Sequence, residues 1–233
     1  MMIKRLTALA AVVLLVVGVL AGCQDGGITS TEAEVPVVKT DVFEPTQSSL
    51  YIRDDGTAAG AEITAFAEDY YSLTELKEYV EELVIQYNRE KVGLAYAYAN
   101  EVKDGSKLPV AIKKLTEEKG NAVLILECAT PADYISINDL NVSSDGLKAV
   151  TTYTVAQMKD AGKSINAQMV DTKGKSVTVE NAMKKDSYHV VVCEGAVVLQ
   201  VQGEVMYMSS NVDYISEALV ETPAGEVSYI IYK

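Results

Sequence analysis

The carboxyl-terminal stretch of the chain, residues 188–233, reads YHVVVCEGAVVLQVQGEVMYMSSNVDYISEALVETPAGEVSYIIYK. Short runs rich in Val, Ile and Tyr follow one another, and they are separated by Gly195, Gly203, Asn211 and the Pro223–Gly225 turn. Short β-branched runs between turn residues are typical of strands. We therefore expect an antiparallel β-meander at this end of the chain.

Two hairpins are predicted before this stretch. The first covers residues 48–66 and turns at Asp54-Asp55-Gly56, whose residue types favour a tight turn. The second covers residues 108–129 and turns at Glu118–Asn121. Its second strand, NAVLILEC, is apolar enough to be buried on both faces.

One long helix is predicted between the hairpins, over residues 71–88 (YSLTELKEYVEELVIQYN). Ser72 and Glu75 have the spacing of a capping box, and Asn88 or Gly93 is expected to end the helix. Its apolar residues fall on one face: Leu73, Leu76, Val80, Leu83, Val84 and Tyr87.

Shorter elements complete the pattern. A helix is expected after Thr130 with Pro131 in its first turn, and another from Thr154 to Gly162. Residues 167–179 (AQMVDTKGKSVTV) are expected to form a strand and a turn. Hairpins, one main amphipathic helix, short helices and a β-meander in this order predict an α+β fold, since strands and helices do not alternate regularly.

The composition excludes several classes of protein. Of 233 residues, 48% are apolar and 23% are charged, which is typical of a folded chain. The 33 acids outnumber the 20 Lys and Arg residues, giving a net charge of −13. Nucleic-acid binding needs a basic surface, so no nucleic-acid partner is expected. A single His and three Cys exclude a site built from clustered imidazoles or thiolates.

The amino terminus has the pattern of an export signal. Lys4 and Arg5 precede an uncharged apolar run, Leu6–Leu20, that is too short for a comfortable transmembrane helix. The run ends in Leu20-Ala21-Gly22-Cys23, which resembles the lipobox of bacterial lipoproteins. The resemblance implies that a diacylglycerol is attached to the Cys23 sulfur and that the chain is cut before Cys23. It also implies a location on the extracytoplasmic face of the cell membrane, with a lipid as the membrane anchor.

This interpretation divides the chain into three parts. Residues 1–22 are the signal peptide, residues 23–47 are the lipidated terminus and a flexible tether, and residues 48–233 are a single globular domain. Removal of the signal peptide takes away two cations and no acid, which changes the net charge from −13 to −15.

Parts of the domain resemble uncharacterised surface lipoproteins of Gram-positive anaerobes. The resemblance is carried by three segments: YYSLTELKEYVEELVIQYN at 70–88, ECATPADYISIN at 127–138, and SSNVDYIS at 209–216 together with the closing YIIYK. It implies a surface location and no particular activity.

Catalytic and metal-binding patterns are sparse. The candidates for a catalytic role are Glu127, which lies inside an apolar strand, and the pair His189 and Cys193, which share one face of a strand. Each also has a structural interpretation, as a satisfied acid, an edge histidine and a buried thiol. Residues 139–146 superficially resemble a calcium loop but have Ser144 where the pattern needs glycine. We expect no metal, no cofactor and no nucleotide.

The two remaining cysteines leave two alternatives open. In an exported protein Cys128 and Cys193 are able to form one disulfide, or both are buried thiols that pack as small apolar groups.

The sequence thus predicts a lipid-anchored extracytoplasmic protein whose domain binds a protein or another envelope component. An envelope hydrolase that uses carboxylates or the His189/Cys193 pair is the alternative. A solute-binding subunit of a transporter fits less well, because such subunits usually have two α/β lobes.

Overall fold

A computed structural model describes residues 42–68, 71–139 and 146–233 of the chain. Within these ranges thirteen strands and four α-helices form two sheets with helices packed around them. The predicted α+β class is confirmed.

The larger sheet has seven strands among the described residues. From edge to edge they are β11 (Asp213–Ser216), β12 (Leu219–Thr222), β9 (Val197–Val201), β1 (Ser49–Ile52), β2 (Ala58–Ala65), β4 (Asn121–Cys128) and β3 (Val110–Glu118). All neighbours in this sheet are antiparallel except β1 and β9, which are parallel.

The smaller sheet has six strands in the described part of the chain, all antiparallel to their neighbours. Their order is β5 (Ala149–Thr154), β8 (His189–Glu194), β13 (Val227–Tyr232), β10 (Val205–Ser209), β6 (Met169–Asp171) and β7 (Ser176–Val177).

The helices begin close to the residues that the sequence predicts. They are α1 (Leu73–Val92), α2 (Pro131–Asp139), α3 (Val155–Asp160) and α4 (Val179–Ala182), with a 3₁₀ turn at Ala99–Glu101. The Ser72 hydroxyl accepts a hydrogen bond from the Glu75 amide, and the left-handed Gly93 ends α1. Helix α4 lies at the end of a segment for which only a strand and a turn are predicted.

Both predicted hairpins are confirmed. Strand β1 pairs with β2 across the Asp54–Gly56 turn, and β3 pairs with β4. Lys119 and Gly120 join β3 to β4 with φ angles of 52° and 76°. Two successive residues with positive φ are characteristic of a type I′ turn, which matches the twist of an antiparallel pair.

The carboxyl-terminal strands all form, but their arrangement is more complex than a single meander. Among these strands only β11 pairs with its immediate successor, β12, and the other steps along the chain pass from one sheet to the other. Two glycines lie where the chain crosses over. A Cβ on Gly195 would lie 2.3 Å from the Gly146 carbonyl oxygen, and one on Gly203 would lie 2.1 Å from that of Lys233. The glycines thus mark passages between sheets, where the backbones approach closely.

The main core lies between the two sheets. The seven-stranded sheet contributes Leu50, Ile52, Leu199, Val201 and Val220, and the six-stranded sheet contributes Val191, Cys193, Val205, Ile230 and Tyr232. Helices α1 and α2 contact the other half of the larger sheet, on β3 and on β2 and β4 respectively. Tyr134 of α2 packs over Gly60, where a Cβ would lie 1.9 Å from the ring.

Two further apolar clusters lie on the outer faces. On the smaller sheet, Val190 and Ile231 pack against α3 and α4 through Met158 and Met183. On the larger sheet, Phe43 packs against a cluster of three buried residues, Ala61, Val123 and Ile125.

The segment 42–47 belongs to the folded part of the chain, although the sequence predicts a tether as far as residue 47. The Phe43 ring stacks on Tyr51 with centroids 5.4 Å apart, and the Gln200 side-chain amide donates a hydrogen bond to the Val42 carbonyl at 2.9 Å. The predicted signal peptide, Cys23 and the tether as far as residue 41 lie outside the described residues.

Cys128 and Cys193 are free thiols, which corrects the predicted disulfide alternative. Both are buried, at 3% and 0% exposure, but they lie in different sheets. Cys128 pairs with β2 and β3, whereas the Cys193 thiol is directed at the Gly195 carbonyl and the Thr222 hydroxyl, at 3.6 and 3.7 Å.

Asn88 attaches α1 to the larger sheet. It is fully buried inside the helix rather than ending it. Its amide nitrogen donates to the carbonyls of Val110 and Tyr96 at 2.7 and 2.8 Å, and its oxygen accepts from the Val110 amide at 3.1 Å. One side chain thus satisfies three backbone groups, two of Val110 on β3 and one of Tyr96 in the loop after α1.

Replacing Asn88 by Ala should lower the free energy of unfolding by about 3 kcal/mol, because it leaves the buried amide and carbonyl of Val110 and the half-buried carbonyl of Tyr96 without partners. Urea unfolding of the Asn88→Ala variant measures this loss. The control is Gln86→Ala on the exposed side of α1. Its side chain donates to the exposed Glu90, and a change below about 0.5 kcal/mol is expected. Equal losses in the two variants would contradict the role of Asn88.

Candidate functional site

The Glu127 carboxylate lies on the face of a sheet and is paired with two cations; it is not an isolated buried acid. Strand β4 turns Leu126 and Cys128 toward the main core, so Glu127 lies on the outer face of the larger sheet. Its carboxylate contacts the Arg53 guanidinium and the Lys113 ammonium, each at 2.7 Å. Arg53 also donates to the Thr57 hydroxyl at 3.2 Å. The carboxylate therefore ties the first turn to strands β3 and β4.

His189 lies at the beginning of β8, at one end of the sheets. Its ring stacks on Tyr232, with centroids 5.1 Å apart, and its Nε2 lies 3.9 Å from the Asp54 carboxylate. Burial, followed by the negative charge of Asp54, raises the pKa of Tyr232 well above its usual value. The group resembles an acid–base cluster in composition, but 3.9 Å is too long for a hydrogen bond between Asp54 and His189.

Cys193 shares the inward face of β8 with His189, as the alternation of strand residues predicts. Four residues of strand separate them by about 13 Å, and Val191 fills the space between them on that face. Burial raises the pKa of the Cys193 thiol to about 11. The thiol is thus protonated near neutral pH and is not activated by the imidazole, so the hypothesis of a His/Cys pair is wrong in its geometry.

No metal site is formed by the residues described in the structure. Within residues 42–68, 71–139 and 146–233, no group of three or more His, Cys, Asp or Glu side chains is placed to hold an ion. The segment that superficially resembles a calcium loop falls largely on residues 140–145, which lie outside the described residues.

Glu62 is the half-buried acid that sequence reasoning missed. It lies on the inward face of β2, where the Tyr134 hydroxyl donates a hydrogen bond to its carboxylate at 2.5 Å. Burial raises the pKa of Glu62 above 4.5, although the hydrogen bonds from Tyr134 and Ser48 oppose the effect. Burial also raises the pKa of Tyr134. The alternation of β2, with Ala58 and Gly60 inward, is the signal that places Glu62 on this face.

A groove of about 440 Å³ lies between α3 and α4, on the outer side of the smaller sheet. We call it the lysine groove. It is lined by Lys159, Lys163, Ser164, Val179, Glu180, Met183 and Lys184. Met183 and Val179 supply apolar surface from the outer cluster of this sheet.

The three lysines that line the groove have different surroundings. The Lys159 ammonium pairs with Asp186 at 2.6 Å. The Lys163 ammonium lies 5.0 Å from the centroid of the Tyr153 ring, within the range of a cation–π contact. Lys184 lines the groove from the other side, just after α4.

The groove lies in the basic part of an acidic chain. Residues 146–189 contain seven of the 20 Lys and Arg residues and only four of the 33 acids. This local excess of basic over acidic residues is visible in the sequence, although the net charge of −13 for the whole chain conceals it.

A second recess of about 40 Å³ lies between the segment 44–47 and the strands of the larger sheet. It is lined in part by Val198, Gln200 and Leu219. This volume is far below that of a small-molecule site, so the recess is a packing gap beside the docked segment.

No protein-family model, curated protein or solved structure matches the chain. Among the described residues, none of the helices combines the length and the apolar character needed to cross a membrane. The functional assignment therefore rests on the residues, their contacts and the amino-terminal sequence.

The raised pKa of Glu62 predicts a pH dependence of stability. The folded protein holds this proton to a higher pH than the unfolded chain, so the free energy of unfolding should fall as pH rises from about 4.5 through the folded pKa. Glu62→Gln keeps a hydrogen-bond acceptor for Tyr134 and cannot ionise. Chemical denaturation over a pH series should show a smaller fall for this variant than for the wild type.

The matched control is Glu81→Gln, which makes the same chemical change on α1 at a second carboxylate that accepts from a tyrosine hydroxyl, that of Tyr98 at 2.6 Å. Its pH profile should stay parallel to that of the wild type. A Glu62→Gln profile that is also parallel would contradict the burial argument.

The two thiols should be inert in the folded protein. Burial raises the pKa of both, and the thiolate is the reactive form. A disulfide reagent at pH 8 should therefore modify Cys128 and Cys193 only at the rate of unfolding, and both should react at once in denaturant. Peptide mass spectrometry assigns the modified residue. Rapid labelling of Cys193 under native conditions would revive a catalytic role for it.

Proposed function

We propose that the protein is a lipid-anchored binding module on the extracytoplasmic face of the cell membrane, and that the lysine groove is its binding surface. The observation that carries the proposal is the contrast between the candidate catalytic residues and the groove. Glu127, His189 and Cys193 are each used in structural contacts, whereas the groove is open and carries uncommitted charge.

The anchor is inferred from the order of residues at the amino terminus. Lys4 and Arg5, the apolar run and Cys23 follow one another at the spacing of a lipoprotein signal. One acyl chain gives marginal membrane binding, so a diacylglycerol on Cys23 is sufficient for a stable anchor where a single chain is not. The excess of acidic over basic residues in the chain keeps the domain solvated beside an anionic membrane surface.

The position of residue 42 supports a module that stands away from the membrane. Residues 23–41 reach at most about 65 Å when fully extended. The chain then meets the domain at Val42 and Phe43, on the outer face of the larger sheet. The lysine groove lies on the outer side of the smaller sheet, which is the opposite layer of the domain.

The hydrolase alternative receives no support from the geometry of the described residues. A carboxylate mechanism needs two acids around one open cleft, but Glu127 is neutralised by two cations on a sheet face and Glu62 is covered by Tyr134. A Cys–His mechanism needs the two side chains within hydrogen-bond reach, and β8 holds them several residues apart.

The solute-binding alternative is also disfavoured. Ligands of that class are enclosed between two α/β lobes at the ends of parallel strands. Here the only parallel pair among the described strands, β1 and β9, lies in the middle of the larger sheet and is covered on its inward face.

Replacing Cys23 by Ala should abolish the anchor, because no other thiol precedes the domain. In a bacterium that lipidates exported proteins, wild-type protein should incorporate labelled palmitate and sediment with membranes, and Cys23→Ala should do neither through a lipid. Cys128→Ala is the control with the same chemical change and should remain acylated. Undiminished palmitate on the Cys23→Ala variant would contradict the assignment.

Binding itself is tested with the lipidated protein held in phosphatidylcholine nanodiscs. A cell-envelope fraction from a Gram-positive bacterium should retain these nanodiscs, and empty nanodiscs should pass through. Absence of retention at low salt would overturn the binding function while leaving the anchor intact.

A further inference from the structure

We propose that the open edge of β3 pairs with the same edge of a second copy of this chain, so that the larger sheets of two copies join into one antiparallel sheet. The open edge is the part of β3 formed by residues 114–118. The inference goes beyond the proposed function and depends neither on the lysine groove nor on the lipid anchor. Three features of β3 support it: backbone groups without a neighbouring strand, a restricted register, and a charge that reverses sign along the edge.

Only the first half of β3 is covered on its outer side. The strand ends the larger sheet and pairs on its inner side with β4. On the outer side, the Asn88 side chain bonds the amide and the carbonyl of Val110, and the Ile112 amide donates to the Ala97 carbonyl at 2.8 Å. Among the described residues, no other strand or loop makes a backbone hydrogen bond to residues 114–118. Backbone groups of alternate residues there form a template for another strand.

The remaining edges of the two sheets are less suited to a partner strand. In the smaller sheet, α2 packs against β5, and β7 has only two residues. At the far end of the larger sheet, β11 has four residues and a bulge between Tyr214 and Ser216. The bulge of β3 lies between Ile112 and Lys114, before its open edge. Short, bulged or covered edges resist the addition of a strand, so β3 has the best open edge among the described strands.

The geometry of an antiparallel pair restricts the register. Residues that lie opposite each other across such a pair point to the same face of the sheet. Leu115 packs in the main core, so Lys114, Thr116 and Glu118 lie on the outward face. A two-fold axis between identical strands must therefore pass through a residue and not between two residues. An axis at Thr116 uses the whole open edge and avoids the covered half of β3.

The charges are complementary in this register. Lys114 of one copy lies opposite Glu118 of the second copy, the axis repeats this contact, and the two Thr116 residues face each other. Within one copy the Lys114 ammonium and the Glu118 carboxylate already pair at 2.6 Å along the outward face, with side chains that are 40% and 48% exposed. Two copies thus form a row of four alternating charges, and such networks contribute more than an isolated surface pair.

The order of the charges distinguishes this edge from a protected one. Lysines commonly block an edge strand, because they repel other edges of the same charge. The open edge of β3 instead begins with Lys114 and ends with Glu117 and Glu118. With the axis at Thr116, Glu117 lies opposite Leu115 and no two like charges lie directly opposite each other. Charge repulsion therefore does not protect this edge against a second copy.

A disulfide at the two-fold axis tests the pairing. Cells that express the full chain are treated with a mild extracellular oxidant. Thr116→Cys should give a cross-linked dimer with residue 116 bonded to residue 116, because opposite Cα atoms in an antiparallel pair are about 4.5–5.5 Å apart, within the range of a disulfide. Peptide mass spectrometry identifies the bond. Thr151→Cys is the matched control, since it makes the same change at an exposed position of β5 and should stay monomeric.

Charge reversal tests the register. In the Thr116→Cys background, Lys114→Glu or Glu118→Lys places like charges opposite each other twice per dimer, so association should weaken about ten-fold. The double variant Lys114→Glu/Glu118→Lys restores opposite charges and should cross-link like its parent. The two single variants, expressed together with different epitope tags, should cross-link to each other, because one then carries two acids and the other two lysines. This rescue would not occur if the variants were misfolded.

Several outcomes would overturn the proposal. Equal cross-linking of Thr116→Cys and Thr151→Cys would show random collision. Cross-linking that neither charge reversal weakens would show contact in another register. A bond from residue 116 to a different protein would assign the edge to that partner. Absence of the dimer would remove the second copy as a partner but would leave the proposed binding function standing, since retention by the envelope fraction tests that function separately.

Discussion

The parallel pairing of β1 with β9 is the contact on which the rest of the fold depends. It joins the amino-terminal hairpins to the carboxyl-terminal strands, which would otherwise form separate sheets. Leu50 and Ile52 on β1, and Leu199 and Val201 on β9, point together into the main core. Parallel strands are stable where their faces are covered, and here the smaller sheet covers the inward face while Phe43 stacks on Tyr51 at the outer face.

Glu62 and Glu127 show how the alternation of side chains along a strand determines the environment of a carboxylate. Glu62 and Glu127 lie on neighbouring antiparallel strands, yet one faces α2 and the other faces outward. The inward acid receives a tyrosine hydroxyl and has a raised pKa, whereas the outward acid receives two cations. Burial of the Glu62 carboxylate favours its protonated form. The same residue type thus has two different structural roles in one sheet.

Charge is segregated between the layers of the molecule. The segment 146–189 carries seven of the 20 Lys and Arg residues and includes α3 and α4, which pack on the outer side of the smaller sheet, while the acidic helix α1 packs on the larger sheet. Lysines on a locally basic surface attract anions even when the whole molecule is acidic, because salt screens the interaction with charges more than about 10 Å away. This segregation of charge supports the proposal that the lysine groove is a binding surface.

Local patterns determined the elements of this protein, and tertiary structure decided how they combine. Ser72, Gly93, Thr154 and the Lys119–Gly120 turn act through near neighbours in the chain, so the helix limits and both hairpins were predictable. The sequence identified Glu127, His189 and Cys193 as candidates because of their residue types. It did not show which groups surround each of them in the fold. The passage of strands between sheets, the placement of Glu62 beside Tyr134, the burial of Asn88 and the position of Lys163 and Lys184 on one groove depend on long-range packing. Residues far apart in sequence contribute to these contacts, and no local pattern records which of them become neighbours.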